Sequence, residues 1–105
     1  MDYKQEFLDL LLKKSALKIA VDADSFFQLK SGRASPSFAS LGSLTDGRSL
    51  VTLKKCYSRA ALAGVQQGIL KDFQYVFGPA YKGITLGALT CEGLLEYGDK
   101  STFFL

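Results

Sequence analysis

The stretch Phe77-Gly78-Pro79-Ala80-Tyr81-Lys82-Gly83-Ile84 carries the most readable chemistry in this chain. It follows a β-branched and aromatic run, Phe73 to Phe77, and opens a segment with helical spacing. Gly78, Pro79 and Gly83 punctuate a turn that contains a single lysine. A strand-to-helix junction with two glycines lets an anion approach the backbone, and the first N–H groups of the helix point toward it. Lys82 adds a mobile point charge suited to phosphate. The spacing is not that of a Walker loop, which requires GxxxxGK[ST]. Two readings fit these residues: a phosphate or pyrophosphate cradle, and an ordinary strand–helix turn with a solvated lysine.

A second block lies upstream. Phe27-Gln28-Leu29-Lys30-Ser31-Gly32-Arg33-Ala34-Ser35-Pro36-Ser37-Phe38 precedes the first, and Gly47-Arg48-Ser49-Leu50 opens a helical segment between them. In this order and at this distance, the blocks resemble the N-terminal half of orotate phosphoribosyltransferase, and the resemblance runs from Asp2 to about Leu105. It implies the type I phosphoribosyltransferase fold. It also implies an activity in pyrimidine nucleotide synthesis that joins orotate to phosphoribosyl pyrophosphate, with Mg²⁺, in a cytoplasmic homodimer.

The resemblance implies roles for individual residues as well. Tyr81 and Lys82 match the positions that hold the pyrophosphate. Lys30, in the Leu-Lys-Ser-Gly-Arg turn, matches a lysine that reaches the same cofactor and the orotate edge. Phe38 matches the first of two adjacent phenylalanines lining the orotate site. At the neighbouring positions the chain departs from the pattern: Ser37 replaces a tyrosine, Ala39 the second phenylalanine, and Ser40-Leu41-Gly42 the usual Asn-Ala-Gly. These changes are expected to remove aromatic area from the base pocket. Arg33 and Arg48 are expected to be structural, pairing with carboxylates or carbonyls.

Two family features are missing: a mobile basic loop, and a later strand with paired aspartates that binds the ribose phosphate. The chain has no histidine and no Asp-Asp pair, in keeping with both losses. The chain therefore reads as a truncated portion of the enzyme, with no catalytic residue of its own and no activity in isolation. Two alternatives remain: a non-catalytic fragment or decayed paralogue serving oligomerisation, and a phosphoribosyltransferase for another base.

The elements that must position these residues read as α/β, a partial doubly wound parallel sheet with a small β-hairpin hood. The expected division is 1–16 as an N-terminal helix, 17–44 as hood strands and 45–105 as the start of the α/β core. Asp2 can cap the first helix, with Gln5 as capping-box partner, and Tyr3, Phe7, Leu10 and Leu11 share one face. Leu17 to Val21 reads as a short strand or extended connection. Ser25 to Leu29 and Pro36 to Ser40 read as the two strands of a hairpin, with Lys30 to Ser35 as its turn. Thr45 or Asp46 starts the next helix, whose small residues suit packing on a sheet. Phe73 to Phe77 then reads as a buried strand. The third helix, from Ile84, is expected to end at a Gly98 cap, before a further strand at Thr102 to Leu105. Strand–helix–strand implies a parallel pair with a right-handed crossover, and such a sheet needs cover on both faces. About half of a doubly wound domain is accounted for.

Bulk properties narrow the function further. The length of 105 residues with 48% apolar content fits one domain. A net charge of +3 with no basic run among aromatics argues against nucleic acid. Neither cysteine lies in a CxxC pair, so Cys56 and Cys91 are expected to be reduced, small apolar residues rather than zinc ligands. No signal peptide or membrane span is evident.

Overall fold

The computed structural model of the chain describes residues 2–105. Helix α1 spans Tyr3–Lys13 and begins where the Asp2 carboxylate accepts the Lys4 N–H at 3.3 Å. Gln5 does not complete a capping box. Its side-chain amide donates to Asp9 one turn further on, at 2.8 Å. Phe7, Leu10 and Leu11 turn toward the core, as their spacing requires.

Four short strands build the hood: β1 Leu17–Ile19, β2 Phe27–Gln28, β3 Ala34–Ser35 and β4 Ser37–Ala39. Here the pairing differs from the expected hairpin. Strand β2 pairs with β3, which falls inside the anticipated turn, while β4 pairs antiparallel with β1 in the register Leu17↔Ala39, Lys18↔Phe38, Ile19↔Ser37. The reason lies at Pro36. It separates β3 from β4, where its missing N–H breaks no ladder, and its carbonyl accepts from Ala20 at 2.7 Å. The Ser35 hydroxyl donates to the Ser37 carbonyl at 2.8 Å across the same corner. The chain therefore changes partner within two residues.

Helix α2, Gly47–Gln66, starts at Asp46, one of the two expected caps. The Asp46 carboxylate accepts from the Ser49 amide at 3.2 Å and the Ser49 hydroxyl at 2.5 Å, and Lys14 Nζ lies 3.5 Å away. The Ser49 hydrogen bonds, with help from Lys14, lower its pKa from 3.8 to about 2. A depressed carboxylate pKa stabilises the fold above the unfolded value and loses that contribution as pH falls through the folded one. The chain should therefore lose stability between pH 3.8 and about 2. Asp46→Asn keeps a capping oxygen but cannot titrate. Its thermal melts should be flatter across this window, and an unchanged slope would remove Asp46 as the cause.

Helix α3 covers Lys82–Gly98, and α2 packs against it. Leu53 and Leu94 are fully buried. The small residues of α2 meet no sheet: Ser58 lies where a side chain on Gly93 of α3 would go, with its hydroxyl donating to the Thr90 carbonyl at 3.3 Å, and Gly64 packs against Leu70. Lys54 ties the two helices together, with Glu96 at 2.6 Å and Glu92 at 3.1 Å. A second cluster, Leu11, Ala16, Leu44 and Leu53, joins α1, the hood and α2.

Gly98 is not the cap of α3. It stays helical, and Asp99 takes the left-handed conformation at φ 50°. Packing explains this, because a side chain at 98 would lie 2.6 Å from Leu62 Cδ2. Aspartate tolerates the left-handed region that most residues avoid.

Strand β5, Tyr75–Val76, pairs in parallel with β6, Phe103–Phe104, and α3 is the crossover between them. The expectation of a buried strand fails here. Val76 and Phe104 face α3, where Gly87 leaves room for the Phe104 ring, whereas Tyr75 and Phe77 lie in the open. No helix among the described residues is long and apolar enough to cross a membrane.

Candidate functional site

The segment from Phe77 to Tyr81 folds tightly over the first turn of α3, and glycine is what permits it. A side chain on Gly78 would run into the Gly83 carbonyl oxygen, and one on Gly83 would lie 2.6 Å from Pro79 Cδ. The Ala80–Tyr81 peptide is cis. Tyr81 then precedes the helix with its side chain 89% exposed.

The start of α3 differs electrostatically from the other helix starts. Helices α1 and α2 each have an aspartate accepting their first N–H groups, but Tyr81 makes no side-chain cap and the first turn of α3 holds no acidic residue. Ile84 N–H reaches back to the Tyr81 carbonyl at 3.3 Å, while the Lys82 and Gly83 amides have no hydrogen-bond partner among the described residues. This leaves the positive end of a 17-residue helix open to an anion.

Lys82 Nζ donates to the Gly42 carbonyl at 3.3 Å and makes no ion pair among the described residues. Its charge is not neutralised. Gly42 lies in the turn Leu41–Ser43 that ends the hood, so this bond joins the loop to the hood. Beside it runs a cleft of about 260 Å³, with Leu41, Thr45, Lys82 and Thr85 in its walls. Gly42 enters the sequence reading only as part of the Ser40-Leu41-Gly42 segment, not as a partner of Lys82. A carbonyl acceptor leaves no mark on residue type, so no sequence signal pointed to it.

Lys30 sits exposed at the tip of the β2–β3 turn, which is closed by the Leu29 N–H to Arg33 carbonyl bond at 2.9 Å and by Gly32 at φ 88°. Phe38 stands half-exposed on β4, its ring 6.0 Å from that of Phe27. Phe27 therefore forms part of the Phe38 surface, although the two residues belong to different strand pairs. No hydrogen bond or ion pair links Lys30 to Phe38, Tyr81 or Lys82 among the described residues.

Two expectations about neighbouring residues change. Ala39 pairs with Leu17, on the sheet face opposite the one Phe38 occupies, because side chains alternate along a strand. Aromatic area missing at position 39 is thus missing from the other face. Arg33 and Arg48 form no ion pair among the described residues, so the expected carboxylate pairing is not made. Cys56 is buried, with its thiol pKa raised by that burial, and Cys91 contacts Thr102 at 3.2 Å. No cluster of three or more His, Cys, Asp or Glu side chains that could hold a metal ion occurs among the described residues.

A parallel strand pair crossed by a helix, a glycine-wrapped loop at that helix's open end and a β hood beside it define a portion of the type I phosphoribosyltransferase fold. Comparison with known proteins agrees. The chain superimposes on the crystal structure of Orotate Phosphoribosyltransferase from Francisella tularensis with a TM-score of 0.70 and 32% identity, covering 93% of this chain and 45% of that one. It is 40% identical over 104 residues to orotate phosphoribosyltransferase of Schizosaccharomyces pombe, covering 99% of this chain and 44% of that protein. It is 37% identical over 102 residues to the Marinobacter nauticus orotate phosphoribosyltransferase, covering 97% of this chain and 43% of that protein. No family model matches the sequence. The resemblance to orotate phosphoribosyltransferase read from the two sequence blocks therefore holds, and the chain spans somewhat under half the length of the curated relatives it matches.

Proposed function

We propose that this chain supplies the pyrophosphate seat and the hood of an orotate phosphoribosyltransferase, which converts orotate and phosphoribosyl pyrophosphate to orotidine monophosphate and pyrophosphate. The observation that carries this reading is the uncapped start of α3, with unpartnered Lys82 and Gly83 amides and an un-neutralised lysine beside them. These groups suit a leaving diphosphate, whose charge grows as its bond to the ribose carbon breaks. Lys82 and the two amides would take that charge, with Tyr81 bordering the seat. Lys30 and Phe38 would approach the sugar phosphate and the flat base from the hood.

Mg²⁺ bound to the pyrophosphate would add charge neutralisation. The described residues offer it no ligand cluster, so in this reading it arrives on the substrate. The reading extends to a cytoplasmic homodimer and to no activity from this chain alone.

A fusion tests the reading. This chain would be joined to the part of the Schizosaccharomyces pombe relative that it does not match. The fusion should form orotidine monophosphate from orotate and phosphoribosyl pyrophosphate, while this chain alone should form none. A folded fusion that turns over another base but not orotate would refute the substrate assignment. Turnover by the unfused chain would refute the division of labour.

A further inference from the structure

Lys18 stands outside the anion seat, yet the hood sets it against an exposed aromatic. Strand β1 pairs with β4 in the register that places Lys18 opposite Phe38. Directly paired residues of an antiparallel ladder share one face, with Cβ atoms about 5 Å apart. Alternation sends Leu17, Ile19, Ser37 and Ala39 to the other face. Phe38 is 41% exposed, and the Phe27 ring lies beside it at 6.0 Å. Lys18 is exposed and makes no ion pair among the described residues. The carboxylate nearest to it along the chain is already engaged, since Asp22 accepts the Ser25 N–H at 3.0 Å. An un-neutralised ammonium thus shares a face with a bare aromatic surface.

We infer that Lys18 is a specificity-determining residue of the hood, its ammonium receiving the carboxylate of a flat anionic base whose ring lies along Phe38. Such a role deepens the functional reading above and rests on it. Each half of the juxtaposition suits one half of such a ligand. The Phe27–Phe38 surface offers contact to any planar ring and does not tell one from another. The ammonium adds a charged donor, which favours a carboxylate and gives a neutral ring far less. Orotate is a pyrimidine bearing a carboxylate, and uracil is the same ring without it. A hood of aromatics alone would hold both alike. Lys30 is less well placed for the task, because it sits at the tip of the β2–β3 turn, in the other strand pair. Lys82 is engaged at the start of α3, where it bonds to Gly42. A lysine stem also suits position 18, since its flexible carbons can lie along the Phe38 ring while the ammonium reaches the ring's edge.

The test uses the same fusion carrying Lys18→Met, which keeps an apolar stem and removes the charge. KM for orotate should rise about tenfold, the low end for a hydrogen bond to a charged group. KM for phosphoribosyl pyrophosphate, inhibition by uracil and the melting temperature should stay as they were. Lys18→Arg should recover most of the loss. An unchanged KM for orotate would overturn the inference. So would an equal weakening of uracil or of phosphoribosyl pyrophosphate, because Lys18 would then be serving the fold or the phosphates. If the fusion makes no orotidine monophosphate, the enzymatic reading fails, and NMR titration of this chain with orotate decides the role of Lys18 by itself. Shifts at the Lys18, Phe27 and Phe38 amides that vanish in Lys18→Met would uphold it. Their absence, or their persistence in the variant, would overturn it.

Discussion

Alanine at position 78 should destabilise the chain by about 3 kcal/mol, the upper end for forcing atoms into a packed site, and, on the proposed reading of the loop as an anion seat, should abolish pyrophosphate binding. The added methyl meets the Gly83 carbonyl oxygen and, at 3.0 Å, the Ile84 Cα, both of them backbone. No rotamer change can relieve that contact. Gly87 closes the other side, since its own Cα face lies against the backbone of Gly78. Gly78 is not among the glycines with positive φ, so the penalty is steric and local. The loop would have to lift from α3, carrying Pro79 and Tyr81 away from the Lys82 and Gly83 amides. Gly47→Ala is the control. It adds the same methyl at the start of α2, where nothing lies within 4 Å, and should change stability by no more than about 0.5 kcal/mol. Urea titrations of the two variants, with pyrophosphate calorimetry, separate the cases. Equal stability for both would mean that the loop does not need its glycine.

That loop shows how much of the site was legible. Gly78, Pro79 and Gly83 mark a turn by residue type and the helix after it follows from apolar spacing, so sequence alone places Lys82 in the turn just before a helix from Ile84, and the structure extends that helix back to Lys82. What it could not reveal is that the helix goes uncapped. This depends on where the Tyr81 side chain points and on two amides without partners. The reach of Lys82 to Gly42 spans forty positions, and no periodicity reports it.

The hood was legible as strands but not as a sheet. Runs such as Ser37–Ala39 betray extended backbone through their alternation, yet partner choice depends on where the chain bends. Pro36 bends it between β3 and β4, so that only Ala34 and Ser35 pair with β2. The consequence reaches the site, because the β1–β4 pairing sets Ala39 on the face opposite Phe38. At β5 the error has another origin. A short aromatic strand in a parallel pair normally lies buried, and Tyr75 and Phe77 have the composition of such a strand. Their exposure reflects the lack of any helix over that face among the described residues, not a polar pattern in the strand.

Replacing Lys82 with alanine in the active fusion should lower kcat/KM for phosphoribosyl pyrophosphate by about 10²- to 10³-fold, the effect of removing one preorganised group from developing negative charge. The structure supplies the control for folding. Lys82 is exposed, bonds only to the neutral Gly42 carbonyl and belongs to no ion pair, so its loss should change stability by less than about 0.5 kcal/mol. A large kinetic effect with an unchanged melting temperature is therefore the signature of a charge used on the substrate. Arginine at 82 should recover only part of the rate, because its planar fork is wider than the ammonium and must fit the space beside Gly42, which lies 3.3 Å from Lys82 Cε when given a side chain. The effect should fall mainly on kcat if Lys82 meets charge that develops as pyrophosphate leaves, and on KM if it binds the ground state equally well. Activity unaltered by Lys82→Ala, with Tyr81→Ala equally silent, would reduce the segment to a structural turn and withdraw the anion seat from the end of α3.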